Sequence, residues 1–502
     1  MVDSSPGRAG GSRSAPGTRK NFVGIQIGLV SFLDEGVGAV LDFLQEKASV
    51  NALLPSTISW SRGNAGRATD WYPDHGKAEP DELVGGAMFR IDPRYYNSTS
   101  IKDFAAPDPL YQGVDFLELI QDEARRRGIG IYPYYCETSR VEPRSVNVPG
   151  WVNLLEVDAH GRRGGRPCVN NPDYQAWWRA VLENHFRNYD LDGFCWGVER
   201  KGPLFHLMDG AAATCFCQHC RRQAHEQGLD IEAARRGYLV LEDYFRRARR
   251  GNAPDGYFVE FLRVLLHHPA ILAYEKFWHE SHKGLAKEIY GTVKWLKPTA
   301  SVGMHIWQYV NTFNPLLRAQ WDLREFRHFA DWVKPVLYHV AAGPRFAQIV
   351  KGYTQSWLGD FTPEEAVPWL YRVLQLNEAP FDRLRRTPFS TEYVFRETAR
   401  TVRAVGPDVQ VYPGIGVGVQ GIGELRITPQ DVRGAVRAAY EAGATGIVIC
   451  RNYSEAMLDA IAAVGEALRD LGITDAIPVG VARTAPEPVE DREEQASADV
   501  RW

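Results

Sequence analysis

Short apolar runs, rich in β-branched and aromatic side chains, recur along the chain between longer stretches whose apolar positions repeat at helical spacing. Eight runs stand out, at residues 22–27 (FVGIQI), 50–58 (VNALLPSTI), 128–135 (GIGIYPYY), 191–196 (LDGFCW), 301–307 (SVGMHIW), 333–339 (VKPVLYH), 409–414 (VQVYPG) and 446–450 (GIVIC). Each precedes a segment able to form a helix. After the first, DEGVGAVLDFLQEKA repeats its apolar positions at helical spacing; after the seventh, TPQDVRGAVRAAYEAGA starts at a Thr able to cap a helix and stops at Gly. This alternation predicts an α/β protein built as a single (β/α)8 TIM barrel over residues 21–475, with its chemistry at the carboxyl ends of the strands. A doubly wound sheet would want a glycine-rich phosphate turn after the first strand, and none follows IQIG.

Two connections exceed the usual length of about two to six residues: 59–112 after the second strand and 200–300 after the fourth. Both leave carboxyl strand ends, so these insertions are expected over the active face, where WYPDHG and DPRYYN of the first would wall a pocket. Residues 1–20 and 476–502 lack apolar periodicity and are expected to be disordered tails, the second acidic.

Lys and Arg number 58 against 62 Asp and Glu, a formal charge of -4, which gives no overall attraction to a polyanion and argues against nucleic acid as a partner. No run approaches the roughly 18 apolar residues of a membrane helix, and no hydrophobic stretch follows the basic residues of the amino terminus. A cytoplasmic protein with no membrane partner is expected, with a homo-oligomer left open. The 14 Trp and 22 Tyr gather at predicted strand ends and in long loops, where sugar-binding sites use aromatic faces. Seven cysteines without a secretory signal point to reduced thiols or metal ligands.

The fourth strand runs into Glu199, the first catalytic candidate. A glycosidase needs a carboxylic acid of raised pKa to protonate the leaving oxygen, and Trp196 with the barrel wall would supply the desolvation. Against this stand Arg200, which would oppose the shift if it pointed inward, and a salt bridge of Glu199 to Arg200 or Lys201. Asp192, at the opposite strand end, reads as structural. The third strand ends at Glu137, a second catalytic carboxylate at similar height unless Arg140 pairs it at the rim. Trp196, Arg200, His305, Trp307, Tyr338, His339, Arg451 and Tyr453 are the candidate substrate-binding residues. Glu137, Glu199, His305 and His339 would alternatively bind a catalytic divalent metal for isomerase, epimerase or lyase work. A non-catalytic sugar-binding barrel is the third reading.

Cys215, Cys217 and Cys220 place three thiols within six residues, which suggests structural zinc. The fourth ligand is contested by Cys168, His206, His219 and Cys195, and Cys168, in RPCVNNPDY, fits best. Three reduced cysteines holding a helix start are the bland alternative.

A strand-four carboxylate, a short loop and then Cys-x-Cys-x-x-Cys resembles the family 42 β-galactosidases and related glycosyl-hydrolase-like barrels. The segment NNPDYQAWWRAVLENHFRNYDLDGFCWGVERKGPL is similar to the helix and Asp-Gly strand of those barrels, so the match spans about residues 120–220 and is architectural elsewhere. The resemblance implies glycosidase activity on a small sugar or glycoside, with Glu199 as acid/base and zinc on Cys168, Cys215, Cys217 and Cys220. It also implies a nucleophilic glutamate at strand seven, where this chain reads Val411, Tyr412, Pro413, Gly414, Ile415, Gly416; Glu424 lies ten residues beyond Gly414.

Overall fold

The computed structural model describes residues 21–60, 66–67, 73–79, 85–137, 148–418 and 425–473. Both predicted tails, Trp71, Tyr72, Arg140 and Glu424 lie outside the described residues.

The main sheet is built from β1 (Phe22–Ile27), β2 (Ala52–Pro55), β3 (Gly130–Ile131), β4 (Tyr134–Glu137), β5 (Gly193–Val198), β6 (Ser301–Ile306), β7 (Trp332–Leu337), β8 (Gln410–Val411), β9 (Gly414–Gly416) and β10 (Gly446–Cys450). Its order is β3-β2-β1-β10-β9-β7-β6-β5-β4, with β8 also on β7, and every pairing is parallel. The sheet curls so far that its two outermost strands, β3 and β4, are separated in the chain only by Tyr132 and Pro133. The first and last predicted strands have the expected bounds. The third and seventh are each split where a proline interrupts, at Pro133 and Pro413, because proline brings no N–H to a ladder.

Side chains alternate across the strands. One face, with Phe22, Leu54, Tyr134, Cys195, Trp332 and Val448, packs into a cluster of its own inside the curl. The other face packs against helices in the larger core. At the amino ends of the strands the inner face is filled by rings: Phe22 stacks on Tyr412 at 4.3 Å between centroids and meets Trp332 and Tyr132 at 5.4 Å each. Two glycines make room within this interior. A Cβ on Gly303 would lie 2.2 Å from the Trp332 ring, and one on Gly197 would lie 2.4 Å from the His305 Cβ.

Residues 200–300 are mostly helical, comprising Pro203–Met208, Gln218–Glu226, Ile231–Ala248, Tyr257–His267 and Ala270–Leu296. The DPRYYN segment corrects an expectation. It forms a short 3-10 turn, Pro93–Ser98, packed against helix Pro172–Asn188: Asp92 N–H donates to Asn184 Oδ1 at 2.8 Å and Tyr95 O–H to Asn188 Oδ1 at 3.3 Å. Those acceptors lie in the last turns of the helix that leads into β5, so the segment sits by the amino ends of the strands and walls no pocket at the carboxyl ends. Asp192 accepts the Ile131 amide at 2.8 Å, a structural contact at the start of β5. Among the described residues no helix is long and apolar enough to cross a membrane.

Candidate active site and cysteine centre

Glu199 follows β5 directly, and its amide donates to the Glu137 carbonyl at 2.7 Å, which carries the ladder one residue past the strand. Counting back in steps of two, Glu199 shares the inner face with Gly197 and Cys195, whereas Trp196 and Val198 face the helices. On β6, His305 pairs with Gly197, and the missing side chain at Gly197 lets the imidazole lie beneath the glutamate. His305 Nε2 meets Glu199 Oε1 at 2.9 Å, and Tyr134 O–H reaches His305 Nδ1 at 3.4 Å. The pair of contacts fits one tautomer, in which Nε2–H donates to the carboxylate and Nδ1 accepts from the phenol. The Glu199 side chain keeps 27% exposure while that of His305 has 2%, so the carboxylate is the open member of the pair.

Beside them stands a fully buried lysine. Lys334 Nζ donates to Gln26 Oε1 at 3.0 Å, lies 3.7 Å from Cys450 Sγ, and sits 4.7 Å from the centre of the Tyr134 ring. Arg345, from helix His339–Thr354, donates Nη1–H to Gln308 Oε1 at 2.9 Å and covers the Tyr338 ring at 5.7 Å. Arg451, just past β10, forks onto Glu455.

These charges reverse one expectation about Glu199. Burial alone pushes its carboxyl upward, but the hydrogen bond and charge of His305, with the charges of Lys334 and Arg345, outweigh burial and hold it below its ordinary value. The resting group is an ionised carboxylate, not a proton-loaded acid. His305 is lowered, by burial first and then by Lys334, against the pull of Glu199, so its imidazole is neutral near pH 7.

The second catalytic candidate is not brought to this place. Glu137 pairs with Val198 across β4 and β5 and therefore faces outward. There it takes an ion pair from Arg200 at 2.7 Å and a hydrogen bond from Tyr174. Arg200, expected at the substrate, is likewise outside, between Glu137 and Glu156 and donating to the Pro167 carbonyl at 2.6 Å. Trp196 is buried against Trp178 at 6.4 Å between centroids, on the strand face opposite Glu199. His339 is buried, with its ring pushed down to about 4 by desolvation. The four-residue metal set Glu137, Glu199, His305 and His339 is thus not assembled: Glu137 faces away from Glu199, and His339 joins no group of ligand atoms among the described residues. Cys136 instead joins Glu199 and His305, with ligand atoms of all three within 4.8 Å.

Of the remaining candidates, Tyr338 and Arg451 act electrostatically on Glu199's surroundings, and half-buried Trp307 stacks on Tyr309 at 4.3 Å. Tyr453 turns away to Glu35, 3.1 Å from its hydroxyl, and packs on His75. Lys334, Arg345, Cys136 and Tyr134 were missed by the sequence reading. The period of two was the available signal, since Tyr132, Tyr134 and Cys136 share a face that Glu137 does not.

No protein-family model matches this chain, and no curated protein matches it. Solved structures do. The α-L-fucosidase isoenzyme 2 of Paenibacillus thiaminolyticus is 12% identical over 91% of this chain and 49% of its own, with a TM-score of 0.43. The β-galactosidase of the Antarctic haloarchaeon Halorubrum lacusprofundi is 12% identical over 90% and 58%, at 0.48, and that of the psychrophilic Marinomonas ef1 is 9% identical over 90% and 61%, at 0.46. The chain therefore spans between 49% and 61% of the length of these enzymes. What this site does is decided by its own side chains.

The antiparallel pair Leu155–Val157 and Arg163–Pro167 delivers Cys168, the segment before helix Gln218–Glu226 delivers Cys215 and the helix cap Cys217, and the first turn of that helix delivers Cys220. All four thiols are buried with sulfurs within 4.8 Å of one another, and Cys168 lies 3.5 Å from both Cys217 and Cys220. Tetrahedral zinc–thiolate geometry needs sulfurs about 3.8 Å apart. The group has the donors and spacing to hold a metal ion. The three neighbouring thiols, Cys168, Cys215 and Cys220, hold the Cys217 thiol well below its ordinary value. Cys195 is inside the curl and His206 meets Arg166 at 2.8 Å; neither belongs to the group, nor does His219.

Proposed function

We propose that the chain is a carbohydrate-active enzyme that cleaves a glycosidic bond in a small glycoside, with Glu199 as the proton-transferring group at the mouth of an eight-fold (β/α) barrel. The barrel follows from reading β3 and β4 as one strand. Tyr132 N–H still donates to Leu53 O, and Pro133 O still accepts from Cys195 N–H, at 2.9 Å each. With that strand continuous, eight parallel strands close in chain order as one domain, and the segments 59–112 and 200–300 are its long insertions.

The observation that carries the reading is the Glu199–His305 pair. A carboxylate at the carboxyl edge of a parallel sheet is partly open to solvent, fixed at 2.9 Å by a buried neutral imidazole and surrounded by cations and aromatic rings. Ionised at rest, Glu199 serves as a base toward water or a sugar hydroxyl, and His305 holds its orientation. The four cysteines are read as a structural zinc site, because a buried all-thiolate set leaves no position for a substrate.

Glu199→Gln tests this on a panel of aryl glycosides. Turnover should fall by roughly 10²-fold or more with little change in KM. Retained turnover in the variant would refute the assignment, and wild-type sugar binding with no turnover would favour the non-catalytic barrel. A second reading rests on Cys136 standing within 4.8 Å of Glu199 and His305, a three-ligand set for a divalent metal in isomerase, epimerase or lyase chemistry. Activity lost to mild chelation and restored by added metal would select it.

A further inference from the structure

The mouth holds more positive charge than its described residues neutralise. Lys334 is fully buried, and its polar partners are the Gln26 amide oxygen and the Cys450 sulfur. Arg345 is half-buried; its protein hydrogen bond goes to neutral Gln308, and its flat face lies on Tyr338. Among the described residues no carboxylate stands within 4.0 Å of either cation, whereas Arg451 has Glu455 at ion-pairing distance. Lys334 and Arg345 are near enough to act on Glu199, and Glu199 on Arg345 and Arg451. Three cations therefore face two carboxylates, and one of those carboxylates is already held by His305.

Uncompensated charge in a site shielded from water is costly, and a ligand of opposite sign removes the cost on binding. Arginine recognises planar or tetrahedral oxyanions through its fork of N–H groups, and Arg345 uses Nη1 on Gln308, leaving Nη2 for a ligand. Gln308 also donates to the Tyr338 carbonyl at 3.3 Å and to the Tyr393 hydroxyl at 3.3 Å, so the guanidinium is steered by a residue that is itself anchored. Lys334 lies below as a second positive charge, fixed by the Tyr134 ring.

We propose that the substrate of this mouth is an anionic sugar, whose carboxylate or phosphate is received by Arg345 and attracted by Lys334. This rests on the sugar-active reading of the Glu199 site and narrows it. Arg345 is the residue that sets specificity, and a uronide is the carboxylate form of such a substrate and a sugar phosphate the other. The binding is an ion pair and no bond is made or broken in it.

The test is titration calorimetry of the full chain with glucuronate, galacturonate and glucose 6-phosphate, each against its neutral hexose, alongside hydrolysis of aryl uronides and aryl hexosides. An anionic ligand should bind about tenfold or more tightly than the neutral one. Arg345→Gln should erase that difference, and Arg345→Lys should recover part of it, with thermal unfolding confirming that both variants are folded. Carboxylate against phosphate is decided by which ligand shows the preference. Equal affinity for charged and neutral sugars, binding of none, or a preference that survives Arg345→Gln would overturn the proposal. Glu199-dependent hydrolysis of neutral glycosides with no anionic preference would sink this inference and leave the glycosidase standing; tight uronate binding without hydrolysis of any glycoside would do the reverse.

Discussion

Arg200→Met should be among the most destabilising single changes available in this protein. The guanidinium is buried, with its side chain at 2% exposure, between Glu137 at 2.7 Å and Glu156 at 3.6 Å, themselves at 1% and 4%. It also donates to the Pro167 carbonyl at 2.6 Å. Methionine fills a similar volume but takes the guanidinium from between two carboxylates in a dry site, leaving Arg166 as the cation that acts on both. Removing one partner of a buried pair costs about 3–5 kcal/mol, and Arg166 beside the same carboxylates places the change in the lower part of that range. Part of the penalty is escaped if a carboxyl takes up a proton, which Glu156 is disposed to do because burial already raises it. Urea unfolding followed by tryptophan fluorescence measures the change. The added substitution Glu137→Gln should return part of the loss by removing one stranded charge. A shift of less than about 1 kcal/mol for Arg200→Met, or a double variant less stable than the single, would refute the argument that the pairing is buried and shared.

Gly197→Ala should impair the site itself, because the new Cβ would lie 2.4 Å from the His305 Cβ; overpacking of this kind costs about 1–3 kcal/mol and should lower kcat through displacement of the imidazole. His75, buried against Tyr453 and bonded to Glu35 at 2.9 Å, titrates above its ordinary value: burial opposes protonation, but the Glu35 hydrogen bond and charge and the Ala456 carbonyl outweigh it. A raised folded pKa means that its contribution is full below about 6.5 and is lost as pH rises through the folded value, so thermal stability should decline across that window and the decline should vanish in His75→Gln. Elemental analysis should find one tightly held zinc per chain, and Cys217→Ser should lower zinc content and melting temperature together; full zinc in the variant would refute the four-cysteine centre.

Much of this architecture is legible in the sequence, since a parallel strand buried on both faces must be an apolar run and a helix must follow to cover it. The runs at 22–27 and 446–450 coincide with β1 and β10. Cys168 was recoverable because a three-thiol cluster is chemically incomplete. What failed was facing. Trp196 and Glu199 are an odd number of residues apart on one strand, so they cannot share a face; Glu137 was matched to Glu199 by height, while register decides its side. Lys334 was hidden because a lysine within an apolar run reads as an edge or an error until the ring under it is seen. Arg345 lies on a helix, and nothing local marks a helical arginine as directed at a strand's end.

Among the described residues the rings of Phe22, Tyr132, Trp332 and Tyr412 fill the amino end of the curl, while Glu199 at the carboxyl edge keeps 27% exposure. Under the proposed function, ligand and product meet the chain at that open edge. A ligand seated over Glu199 would complete the burial that already encloses His305 and Lys334.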